Sequence, residues 1–201
     1  MNKKILISTG GSGGHVIPAT IIYKHLENNF DVSITSDFRC VKFLNTDEYN
    51  LKIFNVKSIS NTLLIMTFDF LLVIISIFKS ISFLRKNKIN ILISTGGYMS
   101  LPLCIGAKIL NIKLLLFEPN MVLGRSNKFF ISYCQKIFCY SNNVKKFPIK
   151  FKNKIKVIPA LLRKNFYDKR DNNNALDAIN LLIIGGSQGA KIFDDLVKNT
   201  I

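Results

Sequence analysis

Cysteine and histidine are scarce in this sequence, and tryptophan is absent. The 201 residues include four cysteines and two histidines, and no two cysteines form a Cys-x-x-Cys pair. A disulfide framework or a zinc site needs characteristic ligand spacings, so neither is indicated. We expect no metal and no cofactor, and we expect the thiols to be buried and reduced, as is usual in a cytosolic protein.

Acidic residues are also few. The sequence has 12 Asp and Glu but 28 Lys and Arg, which gives a formal net charge of +16. Such an excess favours an anionic partner, either nucleic acid or a membrane surface. A compositional bias toward Lys, Asn and Ile is the plainer explanation, and both stay open. The basic stretch between residues 145 and 170 carries no nucleic-acid-binding motif, so a nucleic-acid partner is not expected.

The sequence lacks an apolar run long enough for a transmembrane helix. Residues 63–78 are almost wholly apolar, but Asp69 interrupts them, and Lys79, Arg85 and Lys86 follow. A spanning helix needs about 20 apolar residues. Two interpretations remain open: a helix that lies at the interface of an anionic membrane, and a crossover helix packed on a sheet.

Glycine-rich segments follow three strand-like runs. Residues 3–9 lead into Gly10-Gly11-Ser12-Gly13-Gly14-His15, residues 89–95 into Gly96-Gly97-Tyr98, and residues 180–184 into Gly185-Gly186-Ser187-Gln188-Gly189-Ala190. A buried parallel strand that ends in glycines lets backbone N–H groups and a helix N-terminus face an anion. Three such segments predict a protein that binds phosphates.

Strand-like and helix-like patterns alternate along the chain, which predicts an α/β fold with a doubly wound, Rossmann-like parallel sheet. Helices are expected over residues 17–28, 62–86, 101–110 and 124–133. Strands are expected over residues 3–9, 31–35, 89–94, 113–117, 136–140, 154–158 and 180–184.

A change in composition after residue 142 suggests two domains. We expect a first domain over residues 1–162, a linker over residues 163–179, and the first strand–helix unit of a second, truncated Rossmann-like domain over residues 180–201. A lone strand and helix cannot bury a core of their own. We therefore expect either a fragment or a second chain that supplies the remainder.

Two common phosphate motifs do not match the first glycine segment. A P-loop needs Lys and Ser or Thr after its glycines, but His15 and Val16 stand there. The dinucleotide fingerprint needs a third glycine, and Val16 occupies that position.

Four segments together resemble the MurG family of peripheral membrane glycosyltransferases. They are Gly10 to Ala19, Gly96-Gly97-Tyr98-Met99-Ser100-Leu101-Pro102, Phe117-Glu118-Pro119-Asn120 followed by Gly124 and Asn127, and Gly185 to Ala190. Their order and spacing agree with the family over the whole chain.

The sequence also departs from the family pattern. Ser12 replaces a usual Thr, and Phe117 and Pro119 replace a usual His and Gln. Residues 159–162, before Arg163, read Pro-Ala-Leu-Leu in place of a Gly-Asn-Pro-Val-like turn. Most of the family's second domain has no counterpart in these residues.

The resemblance implies roles for individual residues. His15 is the expected general base, with orientation of the loop as the alternative. Ser12, Gly13 and Gly14 are expected to bind a diphosphate, with a tight turn that needs glycine as the alternative. Arg163 is expected to pair with the nucleotide phosphates, with a plain surface cation as the alternative, and Ser187 to contact the donor's phosphate or ribose. Asn120 and Glu118 are expected to bind sugar or acceptor hydroxyls or, alternatively, to cap the following helix. Tyr98 is expected to contact the acceptor or to serve in packing.

The resemblance also implies a GT-B fold and inverting transfer of N-acetylglucosamine from UDP-N-acetylglucosamine to an undecaprenyl-linked muramyl-pentapeptide in peptidoglycan synthesis. The expected location is peripheral, at the cytoplasmic face of an anionic inner membrane. The truncated chain alone is expected to be inactive. The alternative is a non-catalytic, membrane-bound acceptor module that needs a separate chain to complete the donor domain.

Overall fold

The structure, a computed structural model, describes residues 3–10, 13–38, 44, 48–54 and 63–163, and for residues 63–70 it describes the backbone only. The chain divides into two compact units, Met1–Leu162 and Arg163–Ile201. Arg163 is the one described residue of the second unit. The predicted linker, the third glycine segment and its flanking strand and helix therefore lie outside the described residues.

The first unit contains a seven-stranded sheet in which all strands are parallel, in the order β3-β2-β1-β4-β5-β6-β7. The strands are β1 (Lys4–Ser8), β2 (Asp31–Ser36), β3 (Leu51–Ile53), β4 (Ile91–Ser94), β5 (Lys113–Glu118), β6 (Lys136–Cys139) and β7 (Ile155–Val157). The helices are α1 (Gly13–Leu26), α2 (Leu63–Lys86), α3 (Leu101–Ile109) and α4 (Arg125–Phe130). This is the predicted α/β architecture.

Helices cover both faces of the sheet, and the apolar residues of the central strands β1, β4 and β5 alternate between two cores. On β1, Ile5 and Ile7 pack in one core with Ala19 and Tyr23 of α1. Leu6 points to the opposite core, which contains Leu84 of α2 together with residues of α3 and α4. Side chains of a strand alternate between its two faces, so a strand buried on both faces reads as a continuous apolar run.

The order of the strands reverses between β1 and β4. β2 and β3 lie on one side of this pair, and β5, β6 and β7 lie on the other. Ser8 pairs with Ser94, so the two strands end at the same level. In open parallel sheets, ligands bind at the carboxyl ends of strands at such a switch point. The first two glycine segments both begin there.

Helix α2 packs along α3 in the second core. A side chain at Gly106 of α3 would approach the side chains of Leu84 and Ile81 to 3.2 and 3.4 Å, so glycine permits close contact between the helices. Among the helices that the structure describes, none is long and apolar enough to cross a membrane. Helix α2 thus packs as a crossover helix between β3 and β4, which is one of the two interpretations that the sequence left open.

Helix α1 begins four residues earlier than predicted, at Gly13. Pro18 was expected in the first turn, but it occupies the second, where its missing N–H leaves the Gly14 carbonyl without an intrahelical donor. The helix nevertheless continues, since Val16, Pro18 and Ala19 are buried. Burial of one face therefore outweighs the local preference of proline.

Helix α4 is shorter than predicted and ends at Phe130. The Lys154 ammonium donates hydrogen bonds to the carbonyls of Ile131 (3.0 Å), Ser132 (2.8 Å) and Cys134 (2.6 Å). The free carbonyl groups at the C-terminus of a helix carry partial negative charge and therefore attract a cation. These contacts hold the residues after α4 in a turn.

Candidate active site

A cleft of about 510 Å³ opens at the carboxyl end of the sheet. It is lined by His15 of α1, by residues that follow β4, and by residues from the end of β5 through α4. Those after β4 are Gly96, Gly97, Tyr98 and Leu101, and the others are Glu118, Asn120, Gly124, Arg125, Ser126, Asn127 and Phe129. Its volume lies within the range of small-molecule sites. The cleft therefore brings together residues that are distant in the sequence.

His15 is fixed by the backbone of the neighbouring strand. Its Nδ1 lies 2.7 Å from the carbonyl oxygen of Thr95, just after β4. A carbonyl oxygen can only accept, so Nδ1 carries the hydrogen and donates. The neutral ring then has its lone pair on Nε2, which is the state that a general base requires.

Glycine is needed at the two positions beside His15. Gly96 and Gly97 have φ values of +96° and +83°, which L side chains rarely adopt. A Cβ atom on Gly96 would lie 3.2 Å from His15 Cε1, and one on Gly97 would lie 3.0 Å from the Gly10 carbonyl oxygen. The second glycine segment therefore lets the backbone approach the histidine and the first segment closely.

Buried threonines join the ends of β1 and β4. The Thr95 hydroxyl donates to the Thr9 hydroxyl at 2.9 Å, and the Thr95 N–H donates to the Ser8 carbonyl at 3.0 Å. Thr9 and Thr95 are almost completely buried. Because a buried hydrogen-bonded pair has few alternative partners, this contact fixes the carbonyl that orients His15.

Glu118 belongs to a second wall of the cleft, formed by the end of β5 and the residues after it, and is 1% exposed. Its Oε1 accepts from the backbone N–H and the side-chain amide of Asn120 at 3.2 and 2.9 Å. Its Oε2 accepts from the Gly124 N–H at 2.7 Å and from Asn127 Nδ2 at 3.0 Å. Gly124 is the N-cap residue of α4, so Glu118 supports the start of that helix. The capping alternative for Glu118 fits these contacts.

Two polar atoms in the same wall have no hydrogen-bond partner within the described residues. They are Asn127 Oδ1 and Ser126 Oγ, both buried. Asn127 Nδ2 donates to the Phe117 carbonyl and to Glu118, each at 3.0 Å. Since both of those partners are acceptors, the orientation of the amide is fixed. Buried polar atoms of this kind call for a ligand or water.

The remaining predicted residues divide into four groups. Tyr98 and Asn120 line the cleft, and Gly13 and Gly14 form the first turn of α1, with Gly14 exposed. Arg163 is exposed in the second unit. Ser12 and Ser187 lie outside the described residues. The expected ligand contacts of all seven stay predictions.

Sequence reasoning missed Thr95, Arg125 and Ser126. The Thr95 contact uses a backbone oxygen, which leaves no signal in the sequence. Asn127 belongs to the segment that resembles the MurG family, but it was assigned no role. Arg125 and Ser126 lie between Gly124 and Asn127, so that segment is the signal that could have found them.

Three buried cysteines are free thiols: Cys104, Cys134 and Cys139. Burial raises the pKa of the Cys104 thiol to about 12 and that of Cys139 to about 11, and it also raises the pKa of Cys134. A thiol is nucleophilic as a thiolate, so none of the three is a nucleophile near neutral pH. The expected burial is confirmed for these three, and Cys40 lies outside the described residues. In the described part of the chain, no group of three or more His, Cys, Asp or Glu side chains could hold a metal ion.

Comparison with known proteins identifies similar sequences. The chain is 86% identical over 201 residues to the UDP-N-acetylglucosamine--N-acetylmuramyl-(pentapeptide) pyrophosphoryl-undecaprenol N-acetylglucosamine transferase of Pelagibacter ubique, covering all of this chain and 56% of that protein. It is 33% identical over 205 residues to the protein of the same name from Rickettsia canadensis, covering 99% of this chain and 56% of that protein. The chain thus spans about half the length of these curated relatives.

A solved structure shows the same fold. The crystal structure of Acinetobacter baumannii MurG matches with a TM-score of 0.73 and 24% identity, covering 96% of this chain and 55% of that chain. This match confirms the predicted GT-B type of fold. Residues 5–139 match the glycosyltransferase family 28 N-terminal domain. The chain therefore belongs to glycosyltransferase family 28.

Proposed function

We propose that this chain supplies the acceptor-binding half of an inverting glycosyltransferase. The whole enzyme would move N-acetylglucosamine from UDP-N-acetylglucosamine to a lipid-linked muramyl-pentapeptide in peptidoglycan synthesis. The names of the relatives support the substrates. The observation that carries the proposal is the hydrogen bond of 2.7 Å between His15 Nδ1 and the Thr95 carbonyl in the cleft.

This hydrogen bond prepares His15 for proton abstraction. In a single displacement, the acceptor hydroxyl attacks the anomeric carbon, its proton moves to Nε2, and the bond to UDP breaks with its electron pair on the diphosphate. The bond from Nδ1 to Thr95 persists when the ring takes up the proton. A positioned base of this kind contributes about 10²- to 10⁴-fold in rate.

Gly13 and Gly14 provide the phosphate-binding part of the proposal. They lie in the first turn of α1, where backbone N–H groups have no intrahelical acceptor. The first turn of a helix favours negative charge. In this proposal, these N–H groups and the Ser12 hydroxyl bind the diphosphate, which gains negative charge as UDP departs. Arg163 and Ser187 make further contacts with the donor.

A chimera tests the role of His15. Residues 1–201 of this chain would replace the corresponding part of the Pelagibacter ubique relative, to which they are 86% identical. The chimera should transfer radiolabelled N-acetylglucosamine from its UDP donor to the lipid acceptor. His15→Gln should reduce kcat by about 10²-fold or more, whereas the unjoined 201-residue chain should show little or no transfer.

His25→Gln is the matched control, because His25 is exposed in the last turn of the same helix. It should leave kcat unchanged. If His15→Gln transfers within threefold of His25→Gln (a difference of about 0.6 kcal/mol), His15 is not the base. An unmodified chimera that folds but transfers nothing would contradict the proposed function itself.

We also propose that α2 lies on the cytoplasmic surface of an anionic membrane. Leu71, Ile75 and Phe78 are exposed at spacings of four and three residues, which places them on one helix face. Lys79 and Arg85 are exposed farther along the same helix. An apolar face beside basic residues is typical of helices at the membrane interface, and the net charge of +16 favours anionic lipid.

Vesicle sedimentation tests this placement. The chain should pellet with phosphatidylglycerol-containing vesicles at low salt, and less at high salt because surface charges are screened. Ile75→Asp combined with Phe78→Asp should abolish pelleting, while Val157→Asp, at an exposed position of β7, should not. Equal pelleting of both variants would exclude α2 as the contact surface.

A further inference from the structure

The proposed function leaves one wall of the cleft without a role. Arg125, Ser126 and Asn127 are consecutive at the start of α4, and all three line the cleft. Their side chains offer a guanidinium group, a hydroxyl group and an amide oxygen. These groups suit a ligand that combines an anion with a polar ring.

Asn127 provides the evidence that the wall faces a ligand. The side chain is 2% exposed, and both hydrogen bonds of its Nδ2 hold it in one orientation. Its Oδ1 accepts no hydrogen bond from the described residues. The buried Ser126 hydroxyl likewise has no partner among them. An oxygen that is buried and fixed without a donor destabilises the free protein, so a ligand hydroxyl or N–H is its natural partner.

Arg125 adds positive charge at the same place. Its side chain is exposed and lines the cleft. The ion pairs found among the described residues are Lys4–Asp31 and Lys24–Glu27, and neither includes Arg125. The carboxylate of the cleft, Glu118, already accepts four hydrogen bonds from its own loop and helix. The guanidinium fork is therefore available for a phosphate, which it matches in geometry.

We propose that Arg125 binds the diphosphate of the lipid-linked acceptor, and that Ser126 and Asn127 bind the sugar attached to it. This inference rests on the proposed function. If His15 accepts the proton of the attacking hydroxyl, the acceptor sugar lies in this cleft. Asn127 Nδ2 and His15 Cε1 would lie 3.6 and 3.2 Å from a Cβ atom on Gly96, so a sugar bound at Asn127 lies beside His15. The 4-hydroxyl and the diphosphate are at opposite ends of that sugar ring. Arg125, two residues from Asn127 and exposed in the same cleft, supplies the charge that the diphosphate requires.

Calorimetric titration of the 201-residue chain tests the inference. One ligand is a short-prenyl diphospho-muramyl-pentapeptide, and the other is the uncharged methyl glycoside of the same muramyl-pentapeptide. Arg125→Leu should weaken binding of the diphosphate ligand by about tenfold or more and leave the glycoside unaffected. Ser126→Ala should weaken both ligands. Lys128→Leu, an exposed residue of α4 that does not line the cleft, is the control and should change neither.

Two results would overturn the inference. One is equal binding of the diphosphate ligand by Arg125→Leu and Lys128→Leu, and the other is no binding of either ligand to the unmodified chain. The chimera separates this inference from the proposed function. There, Arg125→Leu should raise the acceptor KM and leave kcat and the donor KM unchanged. An active chimera whose acceptor KM does not respond to Arg125→Leu would refute the Arg125 contact alone.

Discussion

Replacing Glu118 by glutamine tests whether this carboxylate supports the cleft. In the structure, each of its two oxygens accepts two hydrogen bonds from the loop and helix that follow β5. Glutamine has nearly the same shape, but one oxygen becomes an NH₂ group. Whichever oxygen is replaced, the two donors that it accepted from then face the NH₂ group, and both of their hydrogen bonds are lost.

The size of the effect follows from these contacts. A hydrogen bond to a charged group contributes about 1.5–3 kcal/mol, and a buried donor without an acceptor costs about as much. The amide would direct its NH₂ group toward Asn120, since Asn120 is exposed and can turn its donors to water. We therefore expect Glu118→Gln to lower the free energy of unfolding by about 3 kcal/mol, at the lower end of the sum for two bonds.

Urea unfolding followed by far-UV circular dichroism measures this difference. Glu27→Gln is the control, because Glu27 forms a partly exposed pair with Lys24 at 3.3 Å and exposed ion pairs contribute little to stability. Asn120→Ala removes only the 2.9 Å bond from its side-chain amide and should lose about 1 kcal/mol. This milder variant keeps the test informative if Glu118→Gln does not fold.

A loss of less than about 1 kcal/mol for Glu118→Gln, the contribution of a single neutral hydrogen bond, would refute the supporting role. Glu118 would then be a ligand contact first, as the resemblance to the family implies. In that case the substitution would reduce acceptor binding and leave the unfolding curve near that of the unmodified chain.

Three further predictions concern other parts of the fold. Gly96→Ala should weaken acceptor binding in the calorimetric titration, because it adds a Cβ 3.2 Å from His15 Cε1 at a φ of +96°; unchanged binding would contradict this close approach. Lys154→Met should lower the free energy of unfolding by about 2 kcal/mol in urea, since it removes three hydrogen bonds to carbonyls; a neutral effect would exclude this contribution. Burial raises the pKa of Cys104 in the folded chain to about 12, whereas the same thiol in the unfolded chain loses its proton above pH 9. The free energy of unfolding should therefore fall with rising pH, by about 1.4 kcal/mol per pH unit for this thiol. Cys104→Ala should show a correspondingly smaller fall between pH 9 and 11, and the same slope as the unmodified chain would refute it.

The local sequence contained enough information to predict most of the sheet. β1 and β4 read as continuous apolar runs because both of their faces are buried, and each ends in glycines. The predicted start of α1 was wrong by four residues, because Pro18 is a strong signal for the first turn of a helix. Packing of the buried face and the fixed position of His15 determine that helix start, and neither is visible in a local pattern.

The internal contacts of the cleft were less predictable than its residues. His15 was a candidate from its place after the glycines, but its partner is a carbonyl 80 residues away. For Glu118, a role as ligand contact and a role as helix cap were equally compatible with the sequence. The choice depends on where Gly124 and Asn127 lie relative to the carboxylate, and that is set by the turn between β5 and α4.

The two walls of the cleft are held in place by separate sets of hydrogen bonds. His15 depends on Thr95 and Thr9, at the ends of β4 and β1, whereas Asn127 depends on Glu118, at the end of β5. The two sets approach each other at Gly96, where an added Cβ would lie 3.2 Å from His15 Cε1 and 3.6 Å from Asn127 Nδ2. Arg125 takes part in none of these hydrogen bonds, so a loss of proton abstraction at His15 and a loss of acceptor affinity at Arg125 can be measured separately in one molecule. A strong coupling between His15 and Arg125 variants would show that the bound acceptor itself connects the two walls.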